Sequence, residues 1–347
     1  MNENKLKTAV LGLNETGQLL LKAACETGYF AVQAVADKDT KLAQRTAEQY
    51  KCALYDDYRQ LVMQNQLDCL MVAAGIHTCD EHVRSAMKKK FNVLKSAPPA
   101  RNFEEAAQLV QLAEAENIKF AIANPSRFAQ SSLALQKFLQ AGRIEKIFLV
   151  TAFCAAGQKD NEGWQTDPKS AGGGVLLHDC YQMIDQIVCN FAAPTQVYAL
   201  NTNHAADKQQ RLYLTEDTAV VTMKFSDTFS GNIIASKAVG PEQEVLKVYG
   251  KEKILTVSNT RFVVCDEDDK TLEEFEYTDD LFSRYKALLE DFALSILRPA
   301  ENKLRSAARD NLKNMAVIES AYLSARTGFP EEPARILKMG QIKPVNV

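Results

Sequence analysis

The sequence predicts a two-domain protein: an α/β domain with a doubly wound parallel sheet, then an α+β domain with a mostly antiparallel open sheet and helices on one face. Three observations predict it. The chain has 347 residues, more than one hydrophobic core usually organises. Its first third alternates apolar runs of strand length with longer amphipathic stretches of helical period. Its second part carries consecutive strand-like runs joined by turn residues, without intervening helices. Parallel strands need crossover connections and are covered on both faces, so the first pattern reads as doubly wound. Consecutive short-turn strands read as antiparallel.

In order along the chain, the first-domain strands are "KTAVLGL", "FAVQAVAD", "LDCLMVAAG", "FNVLKS" and "IKFAIAN", with helical stretches beginning near Thr16, Lys41, Cys79 and Phe103. This domain ends near Asn124-Pro125, which sets the expected boundaries at 1–124 and 125–347. The second domain opens with a helix, "SSLALQKFLQAG", and a strand, "EKIFLVTAFCA". A polar, Gly-rich loop and a helix from Gly174 to Phe191 follow. Then come "TQVYALNTN", "TAVVTMKF", "GNIIASKAV", "EVLKVYG", "KILTVS" and "RFVVCDE" as strands. The helices "YKALLEDFALSIL" and "ARDNLKNMAVIESAYLSAR" close the chain, the second stopped by Gly328 and Pro330. These last helices are candidates to pack back on the first domain.

Composition excludes several classes. A net charge of −3 with scattered Lys and Arg offers no electrostatic footprint for nucleic acid or anionic lipid. No apolar run reaches membrane-spanning length, and the polar N-terminus "MNENKLK" has no secretory character. The expectation is a cytoplasmic protein. The eight cysteines fall singly in apolar stretches, with no zinc spacing, so no metal site is expected.

After the first strand stands "GLNETG": Gly12, Asn14 and Gly17 occupy the three fingerprint positions of a dinucleotide turn, with Glu15 and Thr16 opening the helix. The first glycine makes the turn, the second admits the pyrophosphate, and the third lets helix approach strand. Asn14 replaces the second; asparagine tolerates positive φ, but its side chain takes space where phosphate approaches. Asp37, at the end of the second strand, stands where a carboxylate accepts ribose hydroxyls. It favours NAD over NADP, and Lys38 beside it softens that preference. The bland alternative is a Rossmann-type turn that holds no cofactor.

The second informative stretch is "WQTDPKSAGGGVLLHDCYQMIDQIVCNF". At 100° per residue, His178, Gln182 and Asp185 form a polar stripe opposite Leu177, Cys180, Ile184, Ile187, Val188 and Phe191. Polar groups at i and i+4 facing a crevice present an acid/base pair. The same stripe reads equally well as a solvated helix face.

Together these segments resemble the Gfo/Idh/MocA family of two-domain oxidoreductases. The resemblance runs through "GLNETG", "VLKSAPPARNFEEA" where the family has a strand ending in Glu-Lys-Pro, "NPSRF", Trp164, Asp167-Pro168, the triple glycine and "SARTGFP". It implies a nicotinamide cofactor on the first domain, touching also Ala74, Gly75 and Ala97. It implies a sugar, polyol or related hydroxylated substrate at Trp164, Asp167, His178 and Gln182, and a homodimer or homotetramer formed through the C-terminal sheet.

The departures bear on catalysis. On the family pattern Ser96 and Ala97 take the Glu and Lys positions, and Lys95 lies two residues earlier, roughly 6–7 Å along a strand. His178 and Gln182 take the positions of the family's Asp and His, and Gln exchanges no proton near neutrality. Gly75, Cys79 and Gln165 also depart from the usual residues. Two main readings stay open: an oxidoreductase with a rearranged site, in which His178 is the base and Lys95, Tyr181 or a water completes a relay, or a degenerate member that binds a ligand or dinucleotide as sensor or partner subunit. For a third, non-redox chemistry such as hydrolysis or epimerisation, the sequence offers no nucleophile–base pair.

Overall fold

The computed structural model describes residues 5–157, 163–203 and 215–340; His204 lies outside the described residues. The chain forms two compact units, one of residues 1–100, 107–128 and 280–309, the other of 101–106, 129–279 and 310–347.

The first unit alternates strand and helix: β1 (Leu6–Leu11), α1 (Glu15–Thr27), β2 (Phe30–Ala36), α2 (Thr40–Tyr50), β3 (Ala53–Tyr55), α3 (Tyr58–Gln64), β4 (Cys69–Val72), α4 (Ile76–Lys88), β5 (Asn92–Ser96), α5 (Phe103–Ala115) and β6 (Phe120–Ala123). The strands form one parallel sheet in the order β3-β2-β1-β4-β5-β6. Every residue of β4 and β6 is buried, as a sheet covered on both faces requires. Val10, Met71 and Leu94 join Leu20, Leu21 and Ala24 of α1 in its core. The short β3 and α3 interrupt what the sequence suggests is one connection; Asp57 caps α3 by accepting the Arg59 amide at 2.7 Å.

The second unit contains α6 (Gln130–Gln140), β7 (Leu149–Ala155), α7 (Pro168–Ala171), α8 (Val175–His178), α9 (Tyr181–Phe191), β8 (Gln196–Thr202), β9 (Thr218–Lys224), β10 (Ser230–Ser236), β11 (Gln243–Tyr249), β12 (Ile254–Ser258), β13 (Arg261–Cys265) and β14 (Thr271–Glu276). Its strands form an eight-stranded sheet, β14-β13-β12-β11-β7-β10-β9-β8, antiparallel except for the β7–β10 pair. Strand alternation is explicit: in β9, Ala219, Val221 and Met223 are buried and the residues between them outward. The edge strand β14 has no apolar period, because its sequence TLEEFE is acidic and almost wholly exposed. Like charge along an unpaired edge discourages edge-to-edge association. Three helices close the chain: α10 (Leu281–Leu297), which packs on α1 in the first unit, α11 (Ala308–Thr327), and a short α12 (Pro333–Met339) that the sequence pattern does not reveal.

One expectation is corrected here. The helix expected from Gly174 to Phe191 is two helices. The Asp179 and Cys180 amides both bond back to the Val175 carbonyl, and a new helix starts when Met183 and Ile184 bond to the Cys180 carbonyl. A single 100° wheel therefore does not relate His178 to Gln182 and Asp185. Asp185 is fully buried, and it accepts the Asn314 side-chain amide at 2.6 Å instead of lining a crevice.

Candidate functional site

In a parallel sheet all strands point the same way, so their C-terminal ends share one edge, where ligands of such folds gather. That edge here carries Gly12 after β1, Asp37 after β2, Ala74 and Gly75 after β4, and Ala97 after β5. The strand order reverses between β1 and β4, which places the Gly12 turn and Ala74 side by side. Gly12 has φ +89°, and a Cβ there would lie 2.3 Å from the Ala74 nitrogen. No other residue fits that turn.

Asn14 resolves differently from its sequence expectation. It needs no positive φ, since it is extended at φ −60° and caps α1. Its Oδ1 accepts the Gly17 amide at 3.0 Å, and its Nδ2 donates to the Ala73 carbonyl at 2.8 Å. The carboxamide is thus folded back onto its own turn instead of standing across the approach of a phosphate. Gly17 packs so close that a Cβ would lie 2.0 Å from the Gly12 carbonyl oxygen, the close helix–strand approach of the third fingerprint glycine. The first amides of α1, at Glu15 and Thr16, are those an anion at this helix end would meet.

Asp37 is half-buried. Its Oδ2 accepts the Leu13 amide at 2.5 Å and its Oδ1 the Asp39 amide at 2.8 Å. The carboxylate ties the glycine turn to the end of β2 and retains lone pairs for ribose hydroxyls. Lys38 beside it is exposed. Tyr58, packed edge-on to His82 with ring centroids 5.7 Å apart, faces this group; burial, reinforced by Asp37, pushes its phenol up to about 12. The turn, the helix end and the placed carboxylate fit a dinucleotide. A cleft of about 310 Å³, lined in part by Val110, Lys119, Phe120 and Leu304, opens at the start of β6, on the opposite edge of the sheet.

Lys95 sits inside β5, paired across to Val72 and Ile122, and is 2 % exposed. Its Nζ donates to the Pro98 carbonyl at 2.9 Å and toward the Ser96 carbonyl at 3.5 Å. The ammonium holds the chain leaving β5.

The second group stands in the second unit. His178 ends the one-turn helix α8, its Nε2 lies 3.0 Å from the Ala171 carbonyl, and its ring packs edge-on to Trp164 with centroids 5.6 Å apart. A carbonyl only accepts, so Nε2 carries the hydrogen and the basic lone pair of the neutral ring is on Nδ1. Asp167 caps α7, whose last residue is Ala171. Its Oδ2 accepts the Ser170 hydroxyl at 2.6 Å and the Ser170 amide at 3.1 Å. The Ser170 hydroxyl, followed by the Lys169 and Ser170 amides, holds the Asp167 carboxyl below its usual range. Gln182 lies in the first turn of α9, beyond the break. The structure therefore brings Trp164, Asp167 and His178 together around α7 and α8, with Gln182 on a separate helix.

Two buried networks support this site, and the sequence does not reveal their long-range pairings. Glu216, 3 % exposed, accepts the Gly174 amide at 2.9 Å, the Leu176 amide at 2.8 Å and the Tyr322 hydroxyl at 3.0 Å. Burial raises its carboxyl to about 7, against the downward pull of these donors. Tyr181 donates to Asn311 at 2.8 Å in a separate buried network with Asn314 and Asp185. Both networks join residues more than a hundred positions apart, so no local pattern marks them. The clue is the triple glycine, because Gly174 leaves no room for a Cβ, which would lie 1.9 Å from the Glu216 carbonyl oxygen.

Comparison with known proteins agrees with this architecture. Residues 6–123 match the oxidoreductase family, NAD-binding Rossmann fold, and residues 132–256 match the GFO/IDH/MocA C-terminal domain. The chain is 25% identical over 205 residues to D-glucoside 3-dehydrogenase of Escherichia coli, covering 57% of this chain and 58% of that protein. It is 23% identical over 201 residues to an uncharacterized oxidoreductase of Schizosaccharomyces pombe, covering 56% and 54%. These matches thus span little more than half the length of either relative. Among solved structures, an inositol dehydrogenase homolog from Azotobacter vinelandii, complexed with NAD+, superposes with a TM-score of 0.85 at 18% identity, covering 95% of this chain and 97% of that one. At that identity the likeness shows the fold alone. With both domain families matched in order, the chain belongs to the Gfo/Idh/MocA oxidoreductase family.

Proposed function

We propose that the protein is an NAD-dependent dehydrogenase of a sugar, polyol or related hydroxylated small molecule, with His178 as the group that takes the hydroxyl proton. The observation that carries this reading is the anchoring of His178, whose Nε2–H is committed to Ala171 and whose basic lone pair is on Nδ1. Gly12, Gly17, the α1 amides and Asp37 would hold the dinucleotide, with Asp37 favouring NAD over NADP. A nicotinamide held by those groups would supply hydride-acceptor chemistry for oxidising an alcohol to a carbonyl, and His178 is the residue proposed to take the hydroxyl proton. Trp164 orients the imidazole through its edge-on contact, and Asp167 holds the Ala171 carbonyl in place through α7.

A second reading rests on Lys95. Its ammonium is buried on backbone carbonyls, which supports a protein that binds a dinucleotide or sugar-like ligand without turning it over. Calorimetric titration with NAD+, NADH, NADP+ and NADPH, followed by a sugar and polyol panel read at the nicotinamide absorbance, separates the two. Under the dehydrogenase reading His178→Ala abolishes hydride transfer and Gln182→Ala only weakens it; binding without turnover across the panel selects the second.

Assembly is supported by an apolar row on the outer face of the eight-stranded sheet. Leu200 pairs with Val220, Val220 with Ile234 and Ile234 with Phe153, and the first three are 57%, 40% and 38% exposed. A second copy of the chain is the occupant proposed for it. Light scattering is expected to give a dimer or tetramer that Val220→Glu dissociates.

A further inference from the structure

The one-turn helix that ends in His178 has no intrinsic reason to stay folded. It spans four residues, and its N-cap is Gly174, which has no side chain to cap it. Isolated turns of this length are not stable, because nucleation costs more than one turn returns. Something outside the helix holds it.

Val175, Leu176 and Leu177 are buried beneath it, and one residue holds its first backbone amides. The amides of Gly174 and Leu176 bond to the two carboxyl oxygens of Glu216, and the Val175 amide between them bonds to the Glu216 main-chain carbonyl at 2.9 Å. The His178 amide in turn bonds to the Gly174 carbonyl at 3.0 Å, so the imidazole stands one turn from the clamp. Tyr322 of α11 braces it from the other side. Its hydroxyl donates to Glu216 Oε1 and accepts the Gly174 amide at 3.3 Å, and a Cβ on Gly173 would lie 2.1 Å from that hydroxyl.

We propose that Glu216, braced by Tyr322, is a positioning residue for His178, and that the charge on its carboxyl governs how firmly the imidazole is held. This rests on the reading of His178 as the proton acceptor. The groups facing the carboxyl are the α8 amides and the Tyr322 phenol; no cation among the described residues bonds to it. Burial, then Glu216 itself, keeps the phenol well above its ordinary range and therefore neutral. Ionised, Glu216 accepts from every donor around it. Protonated, one oxygen becomes a donor aimed at donors, so an amide bond at the start of α8 is lost and the turn loosens. Burial places this change of state near neutral pH.

The test is ¹⁵N–¹H NMR of the histidine side chains in the full-length protein, with His178 assigned among the four histidines by His178→Gln. In the unmodified protein the His178 signals are expected to show a second inflection beside the ring's own titration. Glu216→Gln should remove it and displace the signals at every pH. Tyr322→Phe should keep it but move it to higher pH, because a bond to the ionised form is gone. If the His178 signals of Glu216→Gln overlay those of the parent while only thermal stability changes, Glu216 is structural and the proposal fails. Should Glu216→Gln not fold, an unmoved second inflection in Tyr322→Phe has the same meaning. The readout needs no turnover, so an inactive protein with the expected spectra sinks the dehydrogenase reading and leaves the positioning role standing.

Discussion

Asn14 Oδ1 accepts the Gly17 amide at 3.0 Å, so the residue that interrupts the glycine fingerprint is the cap of the helix that follows it. The substitution that looks like damage in the sequence supports α1 in the structure. Asn14→Ala is expected to cost about 1 kcal/mol, the usual loss of a side-chain cap, whereas Asn14→Gly costs only a few tenths. Urea denaturation measures both. Titration with NAD+ should show Asn14→Gly binding as well as the parent, since the carboxamide already points inward; a large gain in affinity would mean that it obstructs the phosphate.

Gly12 and Gly174 are expected to be intolerant for different reasons. At Gly12 a methyl meets backbone 2.3 Å away, and φ is +89°. Gly12→Ala should abolish dinucleotide binding and lower the melting temperature. At Gly174 the obstacle is the Glu216 carbonyl at 1.9 Å, so Gly174→Ala should displace α8 and the His178 signals while NAD+ binding survives.

Glu216 gives stability a distinct pH dependence. Burial lifts its folded value to about 7, above the ordinary carboxyl value of 4.5. Between these values the native state holds a proton that the unfolded state has released, so this group's contribution falls as pH rises from about 4.5 to about 7 and is level above. The fall is about 3 kcal/mol. Chemical denaturation across that range should show it, and Glu216→Gln should flatten it.

Lys95 offers a separation of chemistry from architecture. Lys95→Met fills the same volume but leaves the Pro98 carbonyl without its donor, at a cost of about 1–3 kcal/mol. Denaturation midpoints of Lys95→Met and the parent give the difference. An unchanged midpoint would mean that the ammonium contributes nothing to the segment after β5.

Asn314→Ala removes the donor to the buried Asp185 carboxyl. Leaving a buried acceptor without its donor costs about 1–3 kcal/mol, and the loss should appear as lower stability with cofactor binding unchanged.

Much of the fold is legible in the order of residues. Strand-length apolar runs such as "LDCLMVAAG" lie in a sheet buried on both faces, and helix periods such as "FEEAAQLVQLAEA" mark the crossovers, because burial on a regular element imposes its own spacing. The Gly12 turn is legible too, since only glycine takes φ +89° against the Ala74 backbone. What lies beyond local pattern is β14, whose acidic residues hide its period, and the break between α8 and α9.

The sequence by itself determined the two sheets, the dinucleotide turn and the candidate residues His178, Gln182 and Lys95, because each depends on neighbours within one or two turns of chain. The tertiary structure alone decided where their polar atoms find partners. Lys95 bonds to the Pro98 carbonyl, Asp185 to Asn314 from α11, and the Gly174 and Leu176 amides ahead of His178 to Glu216, 42 and 40 residues away. Buried polar groups must find partners, and in a folded chain the partner is whichever donor or acceptor packing brings within 3 Å, wherever it lies in sequence.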